Sequence, residues 1–146
     1  MQTTEVARID SPAEEVWRTL ADFGRISEWA PDLDHSCLAT EAATGPGVTR
    51  RVQTGRTVLL ERVLIWEPGE RLGYCIEGLP RAVRQAETTW VLERSGDRTV
   101  VKVVNQLDAG SRPAQRLLAR LLGRAMARAS RRMLGGLKVH LEGCVT

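Results

Sequence analysis

Three polar side chains, and one of two charged neighbours, could carry chemistry in the central part of this 146-residue sequence. His35 is a candidate general base, because histidine changes its protonation state near neutral pH. Tyr74 could donate a proton or a hydrogen bond to an enol, and Asn105 could orient a carbonyl group. The charge beside them is either Arg62 or Glu61, depending on which strand face turns inward. An inward arginine would stabilise a developing enolate or hold a carboxylate.

Each of these residues also has a structural interpretation. A lone histidine such as His35 more often has a structural role, and Tyr74 suits an amphipathic place in a core. Asn105 could bond to backbone near a strand end, and Arg62 could form a surface ion pair. The residue types alone leave both interpretations open.

No established catalytic or metal-binding motif accompanies these residues. Ser-His-Asp, phosphate-loop and zinc-site patterns are absent from the sequence. The cysteines Cys37, Cys75 and Cys144 are odd in number and widely spaced, which favours free thiols over a disulfide framework. We therefore expect no metal and no cofactor.

The hydrophobic period changes twice along the chain and divides it into three parts. Residues 4–9 predict a strand, and helical spacing follows from the Ser11-Pro12 start, with a second short helix at residues 26–29. Alternation with regular turn residues then predicts strands at 33–40, 47–53, 57–66, 71–77, 83–93 and 99–107. The apolar stripe of residues 113–142 predicts a long final helix, with a bend or break at Gly135-Gly136.

Alternation assigns the inner face of most strands. On the last strand, the polar residues Lys102 and Asp108 indicate the outer face, so Val103 and Asn105 face inward. On the strand at 83–93, Glu93 indicates the outer face in the same way. Arg84, Thr88 and Trp90 of that strand therefore face inward. On the strand at 71–77, the inward residues are Leu72, Tyr74 and Ile76. The strand at 57–66 is ambiguous, because Val58, Leu60, Arg62, Leu64 and Trp66 compete with Leu59, Glu61, Val63 and Ile65.

Three separated stretches resemble one known family. They are Ser11 to Trp17 with Glu28-Trp29-Ala30-Pro31, then Trp66 to Tyr74, then Thr88 to Glu93 with Gly96 to Val101. Their order resembles the START/Bet v 1-like (SRPBCC) superfamily, in particular its polyketide cyclase/dehydrase-like branch. The resemblance implies one α+β domain over residues 1–146 with the helix-grip fold. In that fold a seven-stranded curved antiparallel sheet, two short helices and a long C-terminal helix enclose a cavity for an apolar molecule.

The resemblance also selects among the open alternatives. Cyclases of the branch carry a pocket arginine on the fourth strand, so the resemblance favours Arg62 inward; in the other register Glu61 replaces it. With the residues chosen for their chemistry, the predicted catalytic set is Arg62, Tyr74, His35 and Asn105. The inner strand faces and the apolar side of the final helix add the predicted ligand-binding set: Leu60, Leu64, Trp66, Ile76, Arg84, Thr88, Trp90, Val103, Met126 and Met133.

Charge is distributed unevenly along the chain. Residues 1–110 carry 13 basic and 17 acidic side chains, whereas residues 111–146 carry eight basic side chains and one acidic. The arginines of the final helix form either a solvated face or a docking surface for an acidic carrier protein. An anionic membrane is a further option for this surface. Nucleic acid is not expected, because no exposed aromatic side chains lie between the arginines.

These observations predict a cytoplasmic protein without a transmembrane segment, because neither a signal peptide nor a long apolar run is visible. Two functions remain. The first is binding of a polyketide or lipid-like molecule with catalysis of cyclisation or dehydration by a metal-free lyase or isomerase. The alternative is a non-catalytic carrier or sensor of a lipid or isoprenoid. Convergence of titratable groups inside the pocket would favour catalysis.

Overall fold

The computed structural model describes residues 1–143 and consists of seven strands and three helices. The strands are β1 (Gln2–Ile9), β2 (His35–Leu38), β3 (Thr49–Thr54), β4 (Thr57–Glu67), β5 (Arg71–Glu77), β6 (Gln85–Ser95) and β7 (Arg98–Asp108). The helices are α1 (Ala13–Ala21), a 3₁₀ helix (Phe23–Glu28) and α2 (Pro113–Glu142). Cys37 is an exposed free thiol and Cys75 a half-buried one, and Cys144 lies outside the described residues.

All seven strands form one curved antiparallel sheet in the order β1-β7-β6-β5-β4-β3-β2. From β2 to β7 each strand pairs with the next along the chain, while β1 closes the other edge beside β7. Gly55 and Gly96 have positive φ in the tight turns between paired strands, a conformation that glycine adopts without strain. The predicted helix-grip fold is confirmed.

Helix α2 packs against β1 and β7 through small side chains. Ala119, Gly123, Ala127 and Ser130 are buried on one side of the helix, so its backbone comes close to the sheet edge. A Cβ at Gly123 would lie 2.9 Å from Met1 Cε. The longer side chains Met126 and Met133 point away from this contact, toward the space above the middle of the sheet.

Several predicted boundaries were wrong. Strand β2 spans only four residues, and β6 starts at Gln85, so Arg84 lies in the preceding loop. Helix α2 continues without a break through Gly135 and Gly136. Helix α1 starts at Ala13, after an N-cap at Pro12 that makes no side-chain capping bond.

A β-bulge in β4 explains why its alternation was ambiguous. Val63 pairs with Tyr74, but Ile65 pairs with Gly73, so Leu64 is an extra residue on the β4 side. The bulge reverses the face pattern along the strand. Glu61 and Val63 are therefore buried on the inner side before the bulge, while Trp66 packs against the core after it.

Candidate functional site

A cavity of about 400 Å³ lies between α2 and the part of the sheet formed by β3 to β7. Most of its wall is aliphatic: the sheet contributes Val52, Leu59 and Ile76, and α2 contributes Met126, Ala129 and Met133. Ile26 of the 3₁₀ helix and Leu33 and Leu79 of the loops complete the aliphatic part. Five polar residues complete the interior wall: Glu61, Tyr74, Thr88, Asn105 and Ser130. Thr54 and Arg132 also line the cavity and are exposed, so they mark its mouth.

A buried ion pair stands at the β3–β4 side of this cavity. Arg50 and Glu61 are opposite each other on the two strands, and Arg50 Nε donates to Glu61 Oε1 over 2.7 Å. Arg50 also donates through Nη1 to the carbonyl oxygen of Phe23. Its guanidinium lies 3.8 Å from the centre of the Phe23 ring and 4.7 Å from that of Tyr74. These contacts hold the Glu61 carboxylate at the cavity wall.

Tyr74 is buried beside this pair and keeps its proton. Burial raises the pKa of Tyr74 to about 12, with a smaller contribution from the negative charge of Glu61. The phenol oxygen accepts a hydrogen bond from Trp90 Nε1 at 3.2 Å. The tyrosine is therefore a neutral hydroxyl across the ordinary pH range.

A second polar group spans β6, β7 and α2. Thr88 donates to Asn105 Oδ1 at 2.8 Å, and Asn105 Nδ2 donates to Ser130 Oγ at 2.8 Å and to Thr3 Oγ1 at 3.2 Å. The carboxamide of Asn105 is thus satisfied on both of its ends. Ser130 accepts one of these bonds, so its hydroxyl proton can be directed elsewhere.

The mouth of the cavity carries a more exposed ion pair. Arg132 Nη1 lies 3.3 Å from Asp32 Oδ1, which joins α2 to the segment before β2. Thr54, at the end of β3, donates to the carbonyl oxygen of Asp32. Because both side chains of the ion pair are partly exposed, the bridge contributes little to stability and can open.

Residues 1–142 match the family model described as polyketide cyclase / dehydrase and lipid transport. The chain belongs to this family. A comparison with curated protein sequences gives no significant match.

Solved structures agree with the family's fold. The aromatase/cyclase Zhui from Streptomyces sp. R1128 is similar, with TM-score 0.82 and 16% identity over 100% of this chain and 96% of that one. A START superfamily protein from Mycobacterium smegmatis has TM-score 0.76 and 12% identity over 99% of both chains. The di-domain ARO/CYC BexL of the BE-7585A biosynthetic pathway has TM-score 0.80 and 20% identity over 97% of this chain. This chain covers 46% of BexL and so spans about half its length.

In this family member, no cluster of three His, Cys, Asp or Glu side chains within residues 1–143 is arranged to hold a metal. Among the same residues, no helix has the length and hydropathy needed to cross a membrane.

Six residues of the predicted site line the cavity of this polyketide cyclase/dehydrase family protein. They are Tyr74, Ile76, Thr88, Asn105, Met126 and Met133. Alternation located the four strand residues because one face of β5, β6 and β7 is polar. Their roles toward a guest stay predictions.

The prediction that Arg62, Leu60 and Leu64 face the cavity was wrong. Arg62 is half-exposed on the outer face of β4 and lies 3.5 Å from Glu77, while the two leucines are 37% and 44% exposed. The register with Glu61 inward is the one observed. The charged group at the cavity wall is therefore the Glu61 carboxylate, which is paired with Arg50. The buried arginine is on β3, and not on β4 as predicted with Arg62.

His35 and Arg84 were also placed wrongly. His35 is exposed on β2, where it pairs with Gln53 on the face away from the cavity. Arg84 is exposed in the loop before β6 and does not line the cavity. Neither side chain lies where it could act on a molecule inside.

Trp66, Trp90 and Val103 were predicted as ligand contacts, but they pack in the core beside the cavity. Trp90 makes an edge contact with Trp29 at 5.8 Å between ring centres, and Val103 is fully buried. Trp66 makes a similar contact with Trp17 of α1 at 5.3 Å. None of the three predicted residues lines the cavity.

Arg50 and Ser130 are site residues that sequence reasoning missed. Two adjacent arginines at positions 50 and 51 hide the inner face of β3, although buried Val52 shares that face with Arg50. Ser130 is the one hydroxyl on the buried side of α2, where the other residues are small or apolar. Ser130 could have been predicted from the sequence, because a single polar residue on an otherwise apolar helix face indicates a buried polar contact.

Proposed function

We propose that this protein binds an apolar small molecule of polyketide or lipid-like character in the cavity between the sheet and α2. The observation that carries the proposal is the aliphatic cavity of about 400 Å³ with its few fixed polar groups and a mouth beside Thr54 and Arg132. Small-molecule sites have this composition, because apolar contact supplies affinity and a small number of polar groups sets orientation.

The two polar groups would orient such a guest from different sides. The Tyr74 hydroxyl accepts from Trp90 and can direct its own proton to a carbonyl or hydroxyl oxygen. Ser130 can do the same from α2. A guest with two oxygen atoms along an otherwise apolar frame would satisfy both donors, as polyketides do.

Native mass spectrometry of freshly purified protein tests binding. We expect a mass above that of the chain which is lost when the protein is denatured in organic solvent, and whose extract contains a small apolar compound. As a second measurement, fatty acids and planar polyketide-like compounds should raise the melting temperature of guest-free protein. Only the bare chain mass, with no compound raising the melting temperature, would contradict binding.

Catalysis of cyclisation or dehydration is the second candidate, and the convergence of Glu61 and Tyr74 favours it. Glu61 pairs with Ile76 and Val63 pairs with Tyr74, so Glu61 and Tyr74 are diagonal neighbours on one face of β4 and β5. Arg50 would act as a positioning residue, because its contacts orient the carboxylate.

In an aldol cyclisation of a poly-β-ketone, Glu61 would remove a proton from the carbon between two carbonyls. The resulting enolate carbon would attack a distant ketone, and Tyr74 would donate a hydrogen bond to the oxygen that becomes negative. Return of the proton from Glu61 to that oxygen gives a hydroxyl group, whose later loss as water is the dehydration. Folding of the chain by the aliphatic wall would bring the reacting carbons together.

Comparison of Glu61→Gln with Glu77→Gln separates catalysis from carriage. The control residue Glu77 lies on the outer face, where it pairs with Arg62. With a linear poly-β-ketone thioester, we expect cyclised product from the wild type and from Glu77→Gln. Glu61→Gln keeps a side-chain oxygen that accepts from Arg50, so it should stay folded by circular dichroism and bind guest while losing at least a hundredfold in rate. Guest binding by the wild type without product above the uncatalysed rate would contradict catalysis and support carriage.

A further inference from the structure

Two leucines on the N-terminal half of α2 point into solvent. Leu117 and Leu121 are 58% and 55% exposed and lie one helical turn apart. They are on the side of the helix opposite the buried residues Ala119, Gly123 and Ala127. Single exposed leucines are ordinary, but two on one turn form an apolar ridge that the fold itself does not use.

Unpaired arginines flank this ridge. Arg116, Arg120, Arg124 and Arg128 are exposed, and within residues 1–143 they make no ion pair. The next two arginines along the helix do have partners, since Arg131 bonds to Glu5 and Arg132 to Asp32. The arginines from Arg116 to Arg128 therefore lack ion-pair partners among the described residues, whereas Arg131, Arg132 and Lys138 further along α2 have them.

Acidic side chains are few near the ridge: Asp108, at the end of β7, lines a surface depression with Arg116 and Arg120 but forms no ion pair with either. Residues 109–141 contain eight basic side chains and no acidic one. The loop at 78–84 packs against this half of α2 through Leu79 and Val83, and it adds the exposed bases Arg81 and Arg84. The surface thus combines exposed apolar groups with an excess of positive charge.

Apolar surface continues from this ridge into the cavity. Leu118 and Leu122 follow the two exposed leucines around the helix, are half-buried, and pack in one cluster with Met126 and Leu79. Met126 and Leu79 in turn line the cavity. The ridge therefore adjoins a cluster of aliphatic side chains that reaches the cavity wall.

We propose that this surface, formed by the N-terminal half of α2 and the loop at 78–84, docks on an anionic lipid bilayer. A helix that lies in a membrane interface places leucines among the acyl chains and arginines at the phosphate level, which is the arrangement of Leu117 and Leu121 between unpaired arginines. An acidic protein would neutralise the arginines but would also need an apolar recess for the ridge, whereas a bilayer offers both partners at once.

Sedimentation with vesicles tests the proposal on guest-free protein. The vesicles contain phosphatidylcholine with phosphatidylserine, or phosphatidylcholine alone, at low and high sodium chloride. We expect binding to the anionic vesicles at low salt, weak binding to the neutral ones, and a decrease at high salt because salt screens exposed charges.

Two double variants and their controls locate the contact. Leu117→Gln with Leu121→Gln should weaken vesicle binding about tenfold or more, since both side chains would be buried in the bilayer. The matched control, Leu60→Gln with Leu64→Gln, changes two exposed leucines on the outer face of β4 and should bind as the wild type does.

Arg120→Gln with Arg124→Gln should weaken binding by about fivefold for each charge removed, against Arg18→Gln with Arg25→Gln on α1 and the 3₁₀ helix as control. Equal loss in test and control variants would overturn the proposal. So would binding to a purified acidic acyl carrier protein without binding to anionic vesicles. The leucine variant should still take up a guest in solution, so this result is separate from that of the guest-binding experiments.

Discussion

Arg50 on β3 and Glu61 on β4 form an ion pair, 2.7 Å from Nε to Oε1, which is buried beside the cavity. The carboxylate has the guanidinium as its partner, and the guanidinium in turn bonds to the Phe23 carbonyl and lies over the Phe23 ring. Such a pair stabilises little relative to apolar residues of the same size, because both charges lose their hydration. Its value is that it fixes one carboxylate at the wall of an apolar cavity.

Removal of one member of this pair should be costly. Arg50→Met would leave Glu61 buried without its partner, so we expect the free energy of unfolding to fall by about 3–5 kcal/mol in urea denaturation. Arg62→Met on the outer face of the neighbouring strand is the control and should change stability by less than about 1 kcal/mol. Adding Glu61→Met to Arg50→Met should restore part of the loss. A double variant no more stable than Arg50→Met would contradict this account of the pair.

The chain's single tyrosine gives a direct readout of the cavity wall. Because burial raises the pKa of Tyr74 to about 12, phenolate absorbance of the folded protein should appear well above pH 10. Below pH about 10 the phenol is protonated in both the folded and the unfolded chain. Between about 10 and 12 the unfolded chain loses its proton first, so the free energy of unfolding should fall by roughly 2–3 kcal/mol.

Tyr74→Phe should remove this alkaline decrease in stability, with circular dichroism used to confirm that the protein stays folded during the titration. A phenolate midpoint near 10 in the folded wild type would show that Tyr74 is solvated, against its position in the structure.

Two adjacent glycines in α2 should respond oppositely to alanine. At Gly136 a Cβ would overlap the carbonyl oxygen of Trp29, whereas at Gly135 it would meet nothing within 4 Å. Gly136→Ala should therefore destabilise the protein by about 1–3 kcal/mol through overpacking. Gly135→Ala should stabilise it by about 0.5–1 kcal/mol, because alanine is the better helix former. Equal melting temperatures for the two variants would be inconsistent with this close approach of α2.

The Asn105 network should be more important for stability than its exposed neighbour. Asn105→Ala would leave the hydroxyls of Thr88 and Ser130 buried without their shared partner, at a cost of about 2–4 kcal/mol. Gln106→Ala, at the adjacent exposed position of β7, should change the free energy of unfolding by less than about 0.5 kcal/mol. A small effect at Asn105 would mean that water replaces the lost bonds.

The strands and helices could be predicted largely from local patterns. Turn glycines such as Gly55 and Gly96 end one strand and start the next, and polar outward residues fix the faces of β6 and β7. Both signals are local, so they are present in the sequence itself. The resemblance to the START/Bet v 1-like superfamily added the arrangement of these elements, which no local pattern contains.

The charged part of the site could not be predicted in the same way. The bulge at Leu64 reverses the alternation of β4, and its two faces carry similar numbers of apolar residues, so periodicity could not choose between Glu61 and Arg62. The resemblance to cyclases with a pocket arginine on the fourth strand favoured Arg62. The inward arginine is instead Arg50 on the neighbouring strand, where cross-strand pairing, which depends on tertiary structure, brings it to Glu61.

Binding of a guest in the cavity between the sheet and α2 is tested most directly by substitution at the α2 wall. Ala129 lines the cavity, while Ala125, one turn earlier on α2, is exposed. Ala129→Trp would fill the space with an indole, and Ala125→Trp would place the same group in solvent. In titrations with a fluorescent apolar probe, wild type and Ala125→Trp should bind alike and Ala129→Trp at least about tenfold more weakly, all three remaining folded. Equal probe affinity in the two tryptophan variants would contradict a guest site between the sheet and α2.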